Sequence, residues 1–488
     1  MKFYLPENLD LETLIYDNRP NFKPFKWDKL RYIIHILNAL RVGNKDLLLQ
    51  DFTPINAQKL QRIIQNYKPY LKYLEHDLKI IESDKHYIVG EKSKGYRLVE
   101  KYRTPVVAVA VNDFSLRQRL KIDKNKNKLS LKNLDYLTKW YNEKLQINIG
   151  AVNGFLNEEF IIKSPNKDLW DYSNGRKKYK IPLHQYNHAK MSAEKIKYQD
   201  YFLKRDDNVR RFHTNLTTMR SIIRNGLSYN GEKLISIDIK NSQPYLSTLL
   251  LNNRFWVETK TSSKPTNEVG VEVECEGRFI ESSIFNKNIN IFNINIHIKD
   301  SYIMLGDITV SLINKDFSHY IKLVVNGKLY EFLEDVFTKE LGETYSSRQE
   351  IKSAVFQVLF TDNRFLGQEA AKPKKIFKKY FSDVYEIFAE IKKKDKTLLP
   401  RLLQSIESYL IIDVIAKRIS KEYPDAPIFT IHDSIATTKE YVNEVERIMF
   451  EELTAAIGSA PAFKREEWDI NNMSDYLNNL RQKTIEVA

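Results

Sequence analysis

The chain has 488 residues, of which 42% are hydrophobic, so it is globular rather than disordered and long enough for roughly two to four domains. Its net charge of +14, from 77 Lys and Arg against 63 Asp and Glu, favours a polyanionic partner, nucleic acid being the commonest, over a merely solvated basic surface. The single cysteine, Cys275, excludes an intrachain disulfide and metal sites built from clustered cysteines, and it suits a reducing cytosol.

The opening stretch, MKFYLPENLDLETLIYD, has charges that interrupt any apolar core, so it does not read as a signal peptide. No window approaches the uninterrupted apolar length that a membrane span needs, and a cytoplasmic protein without membrane contact is expected. Residues 28–80 read as two or three helices, from the apolar spacing in WDKLRYIIHILNAL and INAQKLQRIIQNYKPYLKYLEHDLKII. In HYIVGEKSKGYRLVEKY, two β-prone runs flank Gly90 to Gly95, which predicts a hairpin with a basic tip. Helices followed by a basic hairpin resemble a winged helix that sets a helix in a groove and a wing on phosphates. A small helical domain capped by an exposed hairpin reads equally well.

Residues 117–147 predict two helices around a Lys/Asn-rich turn. From 160 to 212 the chain is rich in Lys, Arg and Tyr, as a backbone-tracking surface with stacking aromatics or a solvated connector would be. Residues 257–300 alternate apolar and polar and predict a β insertion. After Asp300 helices are expected up to a hairpin around Asp433, then a helix, a loop at Gly458 to Pro461 and a polar tail.

Two stretches stand out chemically. In FTIHDSIATT a β-prone run meets His432-Asp433-Ser434 and resumes, placing an Asp at the tip of an apolar hairpin. In EKLISIDIKNSQPYLSTLLL an apolar strand ends in Asp238, is broken by Asn241 to Pro244, and leads into a helix. If the two strands are neighbours, two carboxylates converge. They repel unless a cation lies between them, and hard oxygen ligands suit Mg²⁺, which also binds substrate phosphates. Between them, Arg348, Lys352, Phe356 and Phe360 recur at i, i+4, i+8 and i+12, one stripe of a helix. Such a stripe offers cations to phosphates and flat faces to a base, or it is a surface helix with two core Phe.

The order Asp, Arg-x3-Lys-x3-Phe-x3-Phe, His-Asp resembles the palm and fingers of family A DNA polymerases and the related single-subunit phage-type RNA polymerases. By that resemblance Asp238 is the motif A metal ligand and Asp433 the motif C ligand, for two Mg²⁺ ions. Arg348, Lys352, Phe356 and Phe360 form the motif B helix that takes the nucleotide. RRFHTNLTTMRSIIRNG resembles a segment beside the primer-template, implying contacts from Arg211, His213 and Thr214. LLQSIESYLIIDVIAKRI resembles the helix before motif C, with Gln404 at the minor groove. His432 positions the primer end, or braces the turn. The resemblance covers roughly residues 205–455.

Departures bear on the sugar. Ser434 follows the motif C Asp as in the RNA polymerases, where the DNA polymerases carry Glu. Phe360 stands where both carry Tyr, and Thr361 where Gly is usual. Gln243, bulky and five positions past Asp238, would crowd a 2′-hydroxyl and points to deoxynucleotides. The resemblance therefore implies an α+β right-hand polymerase without proofreading, acting on DNA primer-template and nucleoside triphosphates. It would be monomeric or loosely associated with replication or mobile-element proteins. Its expected parts are a winged-helix-like domain (1–105), a basic thumb-like region (106–205), palm with motif A (206–256), fingers with the β insertion and motif B (257–390), and palm with motif C (391–488). An RNA polymerase or primase, a non-catalytic DNA-binding initiator, and a template-independent or protein-primed transferase remain as alternatives.

Overall fold

The structure is a computed structural model; it describes all residues except 44–50, 85–92, 126–130, 174–177, 252–295, 300–301, 306–307, 312–314, 343–347, 365, 369–370, 394 and 488. Helix and sheet are mixed, with helix the larger share. The chain divides into two compact units. One holds Met1–Lys204, His213–Lys233 and Trp468–Ala488; the other holds Arg205–Phe212 and Leu234–Glu467. Among the described residues no helix is long and apolar enough to cross a membrane.

In the first unit, the strand Lys2–Pro6 pairs antiparallel with Val106–Ala110. Helix Trp27–Gly43 turns Leu30, Ile33, Ile34 and Leu37 inward, the i, i+3, i+4, i+7 stripe of a core-facing helix. Its buried Asp28 accepts from the backbone N–H groups of Asn112 (2.5 Å) and Asp113 (2.6 Å) and so ties the helix to the chain after the sheet. As expected of residues 28–80, Trp27–Gly43 is followed by two more helical segments, Ala57–Ile63 and Tyr67–Lys72, the latter continuing into a π-helical turn, Tyr73–Asp77. Pro69 lacks an N–H and is tolerated only in a first turn, so the helix restarts just before it.

The first run of the expected hairpin, residues 86–89, and residues 90–92 of its tip lie outside the described residues; the second run forms the strand Gly95–Leu98, which lies between Thr53–Pro54 and Ile81–Ser83 in a three-stranded antiparallel sheet. Gly95 has no substitute there, since a Cβ would meet Phe52 Cβ at 2.7 Å and Asp84 Oδ2 at 2.8 Å. Of the two helices expected over 117–147, Phe114–Asn125 forms. The second shrinks to one turn, Asp135–Thr138, and the segment ends as the strand Leu145–Ile147, which pairs with Leu227–Tyr229. Helices Ile149–Lys163 and Pro182–Lys197 pack together, and the C-terminal helix Asn471–Val487 lies on the former. The expected polar tail is thus a strand, Phe463–Glu467, followed by a helix.

The second unit is built on an antiparallel sheet in the order Phe429–Ile431, Ser434–Thr438, Glu232–Ile239 (from Leu234 on), Phe463–Glu467. A continuous helical run backs it: Leu398–Ser408, a π-helical stretch Tyr409–Ala416, and Lys417–Glu422. Helices Lys315–Val325, Leu329–Leu341, Arg348–Phe360, Lys372–Tyr380 and Ser382–Lys392 pack around buried rings of Tyr320, Phe377, Phe381 and Phe388. The β insertion runs further than the sequence pattern suggests. Ile296–Lys299, Tyr302–Leu305 and Ile308–Ser311 form an antiparallel meander, so strands continue past Asp300; residues 257–295 lie outside the described residues.

Candidate active site

Asp238 lies near the end of Glu232–Ile239. Leu234, Ile237 and Ile239 are buried in the core and Asp238 is half-buried between two of them. The chain then breaks: Asn241 takes a left-handed conformation (φ 54°), and helix Ser242–Ser247 follows, starting earlier than the expected Tyr245. Asp433 lies in the two-residue turn between Phe429–Ile431 and Ser434–Thr438, with His432 left-handed (φ 56°) and exposed. Ser434 is buried and its hydroxyl donates to Ile431 O at 2.9 Å, which closes the turn.

Register brings the two carboxylates together. Asp238 pairs with Ser434, and Ile239 N–H donates to Asp433 O at 3.5 Å. Burial raises the Asp238 carboxyl above the ordinary carboxylate range, and the Asp433 charge raises it further; the Ser434 hydrogen bond and Lys464 oppose this in part. Two carboxylates in mutual repulsion at a partly open sheet end are a donor set that a hard divalent cation relieves. Among the described residues no group of three or more His, Cys, Asp and Glu side chains is placed to hold a metal ion. A Mg²⁺ held by two carboxylates takes its remaining ligands from water and phosphate oxygens, which fits this pair.

A third carboxylate, missed in the sequence reading, lies within electrostatic reach of Asp433 without joining the pair as a ligand. Glu407, on Leu398–Ser408, is 2% exposed. Arg211 donates to its Oε1 from Nε (3.0 Å) and Nη2 (2.6 Å), and Gln243 Nε2 donates to Oε2 (2.6 Å). Burial pushes Glu407 up to about 7, against Arg211 and with the added charge of Asp433. The signal was available: Leu399, Leu403, Glu407 and Ile411 recur at i+4, so Glu407 is a charge inside an otherwise buried apolar stripe. The loop bearing Arg211 is itself held, since Asp206 accepts from the N–H groups of Asn208, Val209 and Arg211, and Arg205 pairs with Asp413.

The helix Arg348–Phe360 forms as expected. Ile351, Val355, Val358 and Leu359 face its core, while Lys352, Phe356 and Phe360 are partly exposed. Lys352 Nζ stands 5.9 Å from the Tyr330 ring, and the Phe356 and Phe360 rings are 5.2 Å apart at 47°. The Arg348 side chain lies outside the described residues. The C-terminal carbonyls of this helix are capped by Lys392, whose Nζ reaches Val358 O (2.5 Å) and Thr361 O (3.1 Å); burial, with Lys374 nearby, brings this ammonium down to about 7. The helix packs on Leu398–Ser408, which carries half-buried Gln404 one turn before Glu407.

His213 and Thr214 belong to the other unit. Thr214 is fully buried and its hydroxyl accepts from Leu216 N–H (3.1 Å) and Thr217 N–H (3.4 Å), closing a capping box, so it serves the helix Asn215–Thr218.

No family model matches the chain, and no curated protein matches it. Among solved structures, it is similar to the POL domain of Pol1 from M. smegmatis in complex with DNA primer-template and dNTP. Identity is 11%, coverage is 73% of each chain, and the TM-score is 0.40, too low to carry an argument.

Proposed function

We propose that the chain is a template-directed nucleotidyltransferase, in its first form a family A-like DNA polymerase without proofreading. The observation that carries this is the pairing of Asp238 with the Asp433 turn, which sets two carboxylates against each other at the end of one sheet. Asp238 and Asp433 are the residues that would hold two Mg²⁺ ions; when bound, these supply Lewis acidity to the attacking hydroxyl and the leaving pyrophosphate.

In the reaction, the primer 3′-oxygen bonds to the α-phosphorus, the bond to the bridging oxygen breaks, pyrophosphate leaves and the hydroxyl proton passes to solvent. Lys352 and Arg348 neutralise the triphosphate, and Phe356 with Phe360 offers a flat face to the nascent base pair. Gln243 crowds the 2′ position, and Glu407 fixes its amide. Arg211, His213, Gln404 and His432 meet the primer-template, with Thr214 acting only by positioning its neighbour His213.

The RNA polymerase or primase reading leans on Ser434. That residue is buried, its hydroxyl donates to Ile431 O, and it also bears on the Asp238 carboxyl, so it supports the alternative alongside a role in closing the turn. Primer extension with purified protein and Mg²⁺ tests the proposal, with dNTPs and NTPs in separate reactions on DNA and RNA templates. Templated product is expected with dNTPs and is expected to vanish in Asp238→Ala and Asp433→Ala. Extension that survives in either variant, or no product under any pairing, sinks it.

A further inference from the structure

Three arginines from separate segments line one small cleft in the first unit. Arg41 comes from the last turn of Trp27–Gly43, Arg97 from the central strand Gly95–Leu98, and Arg103 from the turn after it; Thr53 and His184 share the lining. Each guanidinium is oriented through its Nε edge. Arg41 donates to His184 Nε2 (3.1 Å), Arg97 to Glu82 Oε1 (2.8 Å) and Arg103 to Leu98 O (2.9 Å). Arg103 Nη2 shares the same Glu82 oxygen at 3.2 Å, and Arg41 Nη1 donates to Asp51 O at 2.9 Å.

The charges in this cleft are crowded. Arg41 is only 9% exposed; burial, then the charges of Arg103 and Arg97, bring its guanidinium down to about 10 despite Asp51. His184 is pushed down to about 4 by burial and by Arg41, so at neutral pH it is an uncharged acceptor that positions a cation without neutralising it. The Thr53 hydroxyl is buried and has no hydrogen-bond partner among the described residues. Arg97 and Arg103 side chains keep 21% and 15% exposure, so a ligand can reach them.

Three oriented guanidinium groups and a hydroxyl donor match an anion with three peripheral oxygens and nearly two charges. A carboxylate offers two oxygens and one charge. The cleft has a volume of about 20 Å³, which admits the end of a ligand and excludes a base or a sugar. We propose that this cleft binds a phosphate monoester, either the terminal phosphate of a nucleic-acid strand or that of a free mononucleotide. The inference is independent of nucleotidyl transfer, since none of its residues belongs to the carboxylate site.

The test is fluorescence anisotropy on the full chain at fixed, near-physiological salt. Labelled oligonucleotides would carry 5′-phosphate, 3′-phosphate or hydroxyl ends, with a nucleoside monophosphate and inorganic phosphate as competitors. One phosphorylated end is expected to bind about tenfold tighter than the hydroxyl end, the scale of hydrogen bonds to a charged group. Arg103→Gln and Thr53→Val, which leave the deeply buried Arg41 in place, should each reduce that preference and leave hydroxyl-ended binding within about twofold. Competition by the mononucleotide at similar concentrations assigns the small-molecule source; competition by phosphorylated strands alone assigns the strand end. Equal affinity for all ends with no competition by monophosphate overturns the proposal, as does a preference undiminished in both variants.

Discussion

Glu159 in the first unit and Glu407 in the second are both nearly removed from solvent, at 5% and 2% exposure. Their surroundings differ in charge balance. Glu159 takes Arg220 on both oxygens (2.7 and 2.8 Å), and Lys163 (3.0 Å) and Tyr476 (3.1 Å) on Oε1, while Lys163 also reaches Asp171. Two cations face two anions. Burial alone would raise its pKa, yet Arg220 and then Lys163 hold it below the ordinary range, and Lys163 is pushed up to about 12. Glu407 has one cation, Arg211, and the Asp433 charge near it, and rises. The difference teaches that depth does not decide protonation; the local tally of charge does. A balanced cluster binds a fold together, whereas an unbalanced one is a place prepared for charge brought from outside.

The largest expected effect on this contrast is catalytic. Asp238→Ala or Asp433→Ala should abolish primer extension, while Arg220→Ala should act on extension only through folding. Next is stability. Arg220→Ala leaves Glu159 buried beside one remaining cation and should cost about 3–5 kcal/mol in urea unfolding, whereas Glu407→Gln at pH 8, which removes an ionised carboxylate that burial disfavours, should not lower stability. Equal losses would erase the distinction between the two glutamates.

The pH dependence sharpens it further. With its pKa raised from 4.5 to about 7, Glu407 contributes stability below pH 4.5 that is lost as pH rises through 7. Glu407→Gln should flatten that part of a stability-against-pH curve. Lys392, lowered from 10.5 to about 7, has the opposite sign: the unfolded chain binds its proton more readily, so stability rises from pH 7 towards 10.5, and Lys392→Met should remove that rise. The smallest effect is on melting temperature. Millimolar Mg²⁺ should raise it by a few degrees in the native chain and by less in Asp238→Asn, as calorimetry would read; an equal rise in both would place any bound ion elsewhere.

Much of the carboxylate site is legible in the sequence because it is local. A charged residue between β-prone runs announces the Asp433 turn, and the polar break after Ile237-Asp238-Ile239 announces the other strand end. Glu407 is legible as a charge in an apolar stripe, but its partners Arg211 and Gln243 lie far away in the chain, and no periodicity reports such a meeting. The strand Phe463–Glu467 escapes because FKREE is polar and lies at the sheet edge, where charge is the usual composition and alternation fades. The π-helical stretch Tyr409–Ala416 has the apolar spacing of an ordinary helix, and the arginine cleft draws on positions 41, 97 and 103, which share no motif.

The left-handed backbone of His432 carries a consequence for how this chain tolerates change. An L side chain at φ 56° costs about 1 kcal/mol relative to glycine, and asparagine or aspartate accepts it more readily. Replacement by Gly or Asn should relieve that backbone cost, and comparing the change in melting temperature with any change in turnover separates the backbone from the imidazole and its contacts. Position 432 is in that sense a dial on which robustness and chemistry run in opposite directions, and a library at this one residue measures how far the protein has been turned towards chemistry.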